Sequence, residues 1–521
     1  MCALIMQHLN FNQFKLVQTI KLLCMASLIA LLTYTSSLKI KGHPFTWDPL
    51  EITVASYHLW NSGTISTDGV NPSHFREPLP IAITAAHMAL MTNVPKHFPQ
   101  NDFVSSEHAK LQVSQVNLTY PKTLLATKSY LQQISYVNLY YVAISLLAIW
   151  WLVSLLTTSY LASIVVVVSS WLFFYNNFTY LYRPITEFPA SMFILLAAAS
   201  AVSLYRRQSI FFAFCTGVFL AGATLTKAAT LYVSIVAIPV LMMGMLYFKL
   251  IDFKKVLPLL MTLVAGYVII TAPWMLRNVY HFGELSISQR SGSVLLVRAL
   301  KNQMSKDEYK GAFYAYAPTS FKEKIFEKIL HFKPEDLKIK GAYAKLIRYQ
   351  TGDSEAVALG KPEQATSYFA KMRAIETQML NQMKHSNQPI SALDSKVQAL
   401  AMHLIKQNPQ NHIVMIAPFA WRLVWSFGDA NPKTPGNKNI LIDAINFIAF
   451  LALLSLPMIA IMHKKPEWFA FSIFGVGLFW FYAIFSHAIP RYSAPLIPLA
   501  LLSLILVIPL LRTCITIRNK P

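Results

Sequence analysis

The sequence predicts an all-α polytopic membrane protein of about ten transmembrane helices, and three observations predict it. The 521 residues are 55% apolar and only 13% charged, about half the charged share of a soluble domain. Apolar stretches of roughly 17 to 24 residues recur, each long enough to cross a hydrocarbon core of about 30 Å. Short basic turns separate them.

The spans fall near residues 16–37, 137–157, 161–176, 188–204, 209–225, 228–248, 255–275, 439–462, 467–485 and 493–511. The first is too long for a signal-peptide core and lacks a small-residue cleavage site, so it reads as a retained helix. Ten crossings put both termini on one side. The turns of that side carry Lys15, Arg206, Arg207, Lys249, Lys254, Lys255, Lys464, Lys465, Arg512, Arg518 and Lys520, and the positive-inside rule makes it the cytoplasm. The expected location is the cell inner (plasma) membrane.

The formal charge of +22 follows from cations that hold cytoplasmic loops in place or meet lipid phosphates. No RNA- or DNA-binding signature accompanies it, so the bilayer is the expected partner and nucleic acid is not. Cys2, Cys24, Cys215 and Cys514 fall in spans or at cytoplasmic ends, which argues against disulfides and zinc.

Two long segments fall outside, and the chain divides accordingly. Residues 1–275 form a membrane module of seven spans that includes the first outside loop, 38–136; residues 276–438 form a mostly helical external domain; residues 439–521 form the last spans. Both outside segments are too long to be connectors alone. Weaker apolar stretches at 79–92 and 413–427 have the amphipathic character of helices lying in the interface.

Charged residues beside spans are costly and therefore functional candidates. After the first span stands WDPLEITVASYHLWNSG with Asp48 and Glu51, three residues apart and so on one helical face. The same loop carries Arg76. Arg183 and Glu187 lie between the third and fourth spans, Lys227 between the fifth and sixth, Arg277, Asn278 and His281 after the seventh, and Arg491 and Tyr492 before the last. Arg183, Lys227 and Arg491 occupy outside turns where the positive-inside rule favours no cation. Cations around one or two carboxylates suit an enzyme that holds an anionic lipid phosphate and deprotonates a nearby hydroxyl. Blander roles exist for each residue: Asp48 before Pro49 fits a helix N-cap, Glu187 fits a cap of the fourth span, and Arg183 and Arg491 fit interfacial anchors.

The ordered turns resemble the GT-C superfamily of lipid-dependent glycosyltransferases, notably the bacterial group similar to protein mannosyltransferases and the lipid A aminoarabinose transferase. The pieces are the acidic stretch Asp48 to Gly63, the R-x-P-L turn at Arg76 to Leu79, Thr186–Glu187, and G-x-x-L-A-G-x-x-x-L-T-K ending at Lys227. They continue with P-W-x-x-R-N-x-x-x-F-G from Pro273 to Gly283 and P-R-Y-x-x-P-L-x-P from Pro490 to Pro498. Lys227 stands where the family usually has arginine. The resemblance implies an inverting transfer from a polyprenyl (undecaprenyl- or dolichyl-type) monophosphate sugar to an envelope acceptor, whether lipid, glycan or protein, on the extracytoplasmic face. By position it makes Asp48 or Glu51 the base. It makes Arg277 and Arg491 the ligands of the donor phosphate or lipid; Arg76, Arg183, Lys227 and His281 join them as candidate ligands by their place at the same boundary, with Glu187, Asn278 and Tyr492 in support. It implies no metal and no cofactor beyond the lipid-linked donor. Two other readings use the same cations: a flippase of lipid-linked sugars, and an O-antigen-type ligase or polymerase with pyrophosphate-linked donors.

Overall fold

The computed structural model describes residues 11–106, 118–386, 392–427 and 439–518, so Cys2 and Lys520 lie outside the described residues. Its architecture is all-α and polytopic, as expected. Among the described residues, eight helices are long and apolar enough to cross a membrane.

The chain begins with α1 (Phe11–Ser37), then α2 (Asp48–Ser62) and α3 (Pro78–Met91) of the first long loop. After β1 (Phe103–Ser106) and β2 (Leu118–Pro121) come α4 (Val137–Leu156), α5 (Tyr160–Ser170), α6 (Glu187–Arg207), α7 (Ile210–Thr224), α8 (Ala229–Tyr247) and α9 (Phe253–Phe282). The second long segment holds α10 (Ser291–Lys301), α11 (Lys306–Tyr316), α12 (Tyr368–His385), α13 (Leu393–Gln407) and α14 (Ile416–Leu423). The chain returns through α15 (Ile440–Met462), α16 (Pro466–Phe485) and α17 (Ile497–Arg518).

α6 is the central span: 89% of its most apolar stretch is buried, against 17% in α1 and 22% in α9. Small residues make this possible, with Ala197, Ala198, Ala199 and Ala201 all fully buried. Helices in lipid gain little from mutual hydrophobicity and associate by close backbone approach. The tightest case is α7 on α9. A Cβ on Gly217 would stand 2.0 Å from the carbonyl oxygen of Leu263, and one on Gly266 would stand 2.5 Å from that of Phe214.

Three boundaries differ from expectation. α7 has 15 residues, which at 1.5 Å each reach only about 22 Å. α5 is also short and ends in a π turn at Trp171–Tyr175. These two elements occupy the places of the third and fifth expected crossings. α9 continues to Phe282, past the expected end at 275, and so takes the P-W-x-x-R-N sequence into a helix of 30 residues. Gly283 stops it with a left-handed φ of 71° and an N–H bond to Val279, the glycine C-terminus of the αL type.

The two long segments between spans have cores of their own. In the first, Phe45, Leu50, Val54, Tyr57, Met88, Leu118 and Ile134 pack together, with β1 and β2 paired antiparallel alongside. That hairpin was not foreseen. In the second, α10, α12 and α13 bury Leu296, Val297, Met372 and Val397 between them. Asp394 of α13 fastens the start of α10 by accepting from Ser291 Oγ at 3.0 Å and from the Gly292 N–H at 2.9 Å.

Candidate functional site

Asp48 opens α2, but its side chain caps nothing. The N-cap position belongs to Trp47, which has φ 63° and makes no side-chain cap bond. A tryptophan in that conformation is strained, and strain of this kind collects at functional sites. The turn aims the carboxylate of Asp48 away from the helix axis and towards three arginines.

Arg76 Nη2 pairs with Asp48 Oδ1 and also with Glu51 Oε2. Arg290 Nη1 stands 3.2 Å from Asp48 Oδ1 and 4.0 Å from Glu51 Oε2. Arg491 Nη2 takes the other oxygen, Asp48 Oδ2, at 2.9 Å. Burial acts to raise the Asp48 carboxyl, but Arg76, Arg491 and Arg290 together hold it well below the usual carboxylate range.

Arg491 carries the network further. Its Nε donates to Glu187 Oε1 at 2.6 Å and its Nη2 to Glu187 Oε2 at 3.2 Å, a two-pronged pair. Lys227 Nζ reaches the same Glu187 Oε1 at 3.1 Å and lies 5.7 Å from the centre of the Tyr492 ring. Glu187, fully buried at the first residue of α6, is thus the link between two cations and not the expected cap, since the N-cap position belongs to Thr186. The network has three carboxylates, Asp48, Glu51 and Glu187, against four cations, Arg76, Arg290, Arg491 and Lys227. Its surplus is one positive charge. Arg76, Glu51 and Glu187 are buried, whereas the side chains of Asp48, Arg491 and Arg290 are 21%, 31% and 36% exposed. The reachable rim therefore consists of Asp48 and two arginines.

Arg290 is the member that sequence reasoning missed. Its only signal was a lone cation seven residues after Gly283 in a long segment between spans, and nothing in composition separates it from the solvated charges there. The structure shows what brings it in. Trp274 Nε1 donates to the Ile287 carbonyl at 2.9 Å, Asn278 Nδ2 to the Ser286 carbonyl at 2.8 Å, and the Gln289 N–H to the His74 carbonyl at 3.1 Å. These bonds fold the segment after α9 back over α2, and Arg290 settles 5.2 Å from the Phe75 ring.

The remaining candidates stand elsewhere. Arg277 donates to the carbonyls of Ser73 at 3.1 Å and Ile65 at 3.4 Å and to Asn278 Oδ1 at 2.9 Å, so it ties the first loop to α9. Arg183 lies over the Tyr182 ring at 4.7 Å, and its carbonyl accepts from Asn138 at 2.7 Å. His281 is exposed with its ring against Tyr280 at 5.0 Å. Tyr492 stacks on Tyr482 at 4.9 Å beside Arg491. Among the described residues no group of three or more His, Cys, Asp and Glu side chains gathers to hold a metal ion.

No protein-family profile matches the sequence, and no curated protein matches it. Two solved structures resemble its fold. One is the archaeal oligosaccharyltransferase AglB from Archaeoglobus fulgidus in complex with an inhibitory peptide and a dolichol-phosphate, at 11% identity and a TM-score of 0.45, over 94% of this chain and 50% of that one. The other is an oligosaccharyltransferase from the same organism in its apo form, at 12% identity and a TM-score of 0.46, with the same coverage. The chain spans about half the length of either.

Proposed function

We propose that the chain is an inverting glycosyltransferase of GT-C type that moves a sugar from a polyprenyl monophosphate to a cell-envelope acceptor. The active site would face the extracytoplasmic side, with both termini in the cytoplasm. The observation that carries this reading is the sharing of Asp48 among Arg76, Arg290 and Arg491.

Arg290 and Arg491 form the exposed cationic rim, and the phosphate of the donor is the anion their geometry suits. Asp48, the more exposed carboxylate, is placed to accept the proton of the acceptor hydroxyl; Glu51 is occupied holding Arg76. The acceptor oxygen then bonds to the anomeric carbon, the carbon–oxygen bond to phosphate breaks, and the departing phosphate takes the bonding pair, its added negative charge meeting the arginines. In the unliganded arrangement Asp48 is a weak base. Arrival of the phosphate draws Arg290 and Arg491 away from it and so raises its basicity at the moment the donor is in place.

The experiment is Asp48→Asn with polyprenyl monophosphate sugar as donor. Loss of a positioned base costs about 10²- to 10⁴-fold in rate, while donor binding and folding persist. Retention of full transfer would sink the reading. A flippase would move lipid-linked sugar as before, and a ligase would use only the pyrophosphate-linked donor.

A further inference from the structure

A second set of cations lies outside the Asp48 network. On α10, Arg298 is 0% and Lys301 is 3% exposed, and on α14 Arg422 is half-buried. They converge on two rings. The Arg298 guanidinium and the Lys301 ammonium stand 4.4 and 5.8 Å from the centre of Phe419. Lys301 and Arg422 stand 5.1 and 4.4 Å from the centre of Tyr316. The two rings lie 6.3 Å apart, nearly parallel.

Among the described residues, every polar partner of these cations is neutral. Arg298 donates to Asn302 Oδ1 and to the His412 carbonyl at 2.8 Å. Lys301 donates to Tyr316 Oη at 2.9 Å and to the Leu346 carbonyl at 3.2 Å. Arg422 donates to the His487 carbonyl at 3.3 Å. The nearby carboxylates are engaged elsewhere: Glu308 with Lys345, Tyr368 and the Ser305 N–H, and Glu376 with Arg373 and Ser293. Arg298 Nε, His412 Nε2 and His487 Nδ1 are buried without a hydrogen-bond partner.

Buried charges without counter-charges are expensive, and three that repel one another are more so. Burial pushes Lys301 well below the usual lysine range, and Arg422 and Arg298 push it further. Burial likewise lowers Arg298 to about 9. An anion bound among them relieves all of these costs together. The cluster also adjoins the reaction site. His487, half-buried, lies 5.4 Å from Tyr492 ring to ring, and half-buried Arg290, Arg491, Tyr492, His487 and Arg422 lead from Asp48 to Lys301.

We infer that Arg298, Lys301 and Arg422 form a second phosphate subsite, which takes a phosphate group of a substrate other than the one at Asp48. This rests on the proposed transferase reading, whose donor carries a single phosphate, so the phosphate taken here belongs to the acceptor. The subsite is tested by binding, so its fate is separable from that of Asp48 as base.

The variants are Lys301→Met and Arg422→Gln, each compared with the full-length protein in detergent. Inorganic phosphate is titrated against thermal unfolding and against the fluorescence of Trp421 and Trp425, in an Arg290→Gln background that weakens the rim at Asp48. The expected result is saturable stabilisation that weakens at least tenfold in either variant, while Lys301→Met without phosphate unfolds no earlier than its parent. Polyprenyl pyrophosphate binding tenfold tighter than the monophosphate, with the difference erased by Lys301→Met, would overturn the acceptor assignment and the monophosphate donor together. Equal binding of both lipids, with a raised KM in Lys301→Met only for a phosphorylated acceptor, places it on the acceptor. Phosphate binding that is absent, or unchanged in both variants, overturns the subsite whatever Asp48→Asn does.

Discussion

Arg491 donates to Asp48 Oδ2 at 2.9 Å, although the two residues stand near opposite ends of the chain. The same guanidinium holds Glu187 through two further bonds. One side chain therefore bridges the loop that follows α1, the central span α6 and the turn before α17, and several outcomes depend on it.

Replacing Arg491 by lysine keeps the charge and removes the fork. A single ammonium cannot serve Asp48 Oδ2 and both oxygens of Glu187 together. A hydrogen bond to a charged group is worth about 1.5–3 kcal/mol, so transfer should fall about 10- to 100-fold with the protein still folded. Steady-state kinetics and a thermal unfolding curve read the two effects separately; an unchanged kcat/KM would count against the bridge.

Glu187→Gln should act chiefly on stability. It leaves Lys227 and Arg491 without their shared carboxylate in a fully buried position, and breaking one side of such a pair costs about 3–5 kcal/mol. The expected readout is a lower unfolding midpoint in detergent, with partial recovery in Glu187→Gln, Lys227→Met. If the single and double variants unfold alike, the two residues are not coupled.

The pH dependence of catalysis should distinguish free from donor-bound protein. In the free protein the three arginines keep Asp48 well below the usual range, so its protonation leaves no limb in kcat/KM between about pH 5 and 8. Its contribution to stability is present above the unfolded carboxylate value and is lost only as pH falls through the lower folded value. Once the donor phosphate engages Arg290 and Arg491, the acid limb of kcat should lie at higher pH than that of kcat/KM. Coincident limbs would remove the proposed release of the base.

His74 gives a stability signature of opposite origin. Burial first, and Arg277 second, lower its imidazole to about 4, whereas an unfolded histidine titrates near about 6.5. Between those values the unfolded chain binds the extra proton, so stability falls as pH drops from about 6.5 towards 4, by on the order of 2–3 kcal/mol. Glu284, 3.3 Å away and raised by burial, offsets part of this by taking a proton in the folded state. Arg277 stays charged throughout. His74→Gln should flatten the unfolding midpoint over that window, and an unchanged slope would assign the acid sensitivity elsewhere.

Gly217→Ala tests the closest helix contact. The added methyl meets the Leu263 carbonyl oxygen at 2.0 Å, so α7 and α9 must separate, at about 1–3 kcal/mol for overpacking. The unfolding midpoint should drop clearly. Gly283→Ala makes a useful comparison: nothing lies within 4 Å of its Cβ, and only the left-handed φ of 71° is strained.

The sequence alone determined the spans and the candidate charges, because both follow from local cost. A bilayer requires each backbone polar group to be bonded within its own segment, so apolar length marks a helix wherever it occurs. Charges beside such segments are expensive enough to be noticed singly, and Asp48, Glu51, Arg76, Glu187, Lys227 and Arg491 were found in that way. Which charge meets which was decided only by the tertiary structure. Arg277 and Arg290 lie in one stretch of chain and look alike in sequence, yet the first ties loop carbonyls and the second reaches Asp48. The bonds of Trp274 and Asn278 that fold this segment back join residues whose spacing carries no periodic signal, and an ion pair between distant turns depends on where helix packing brings their ends.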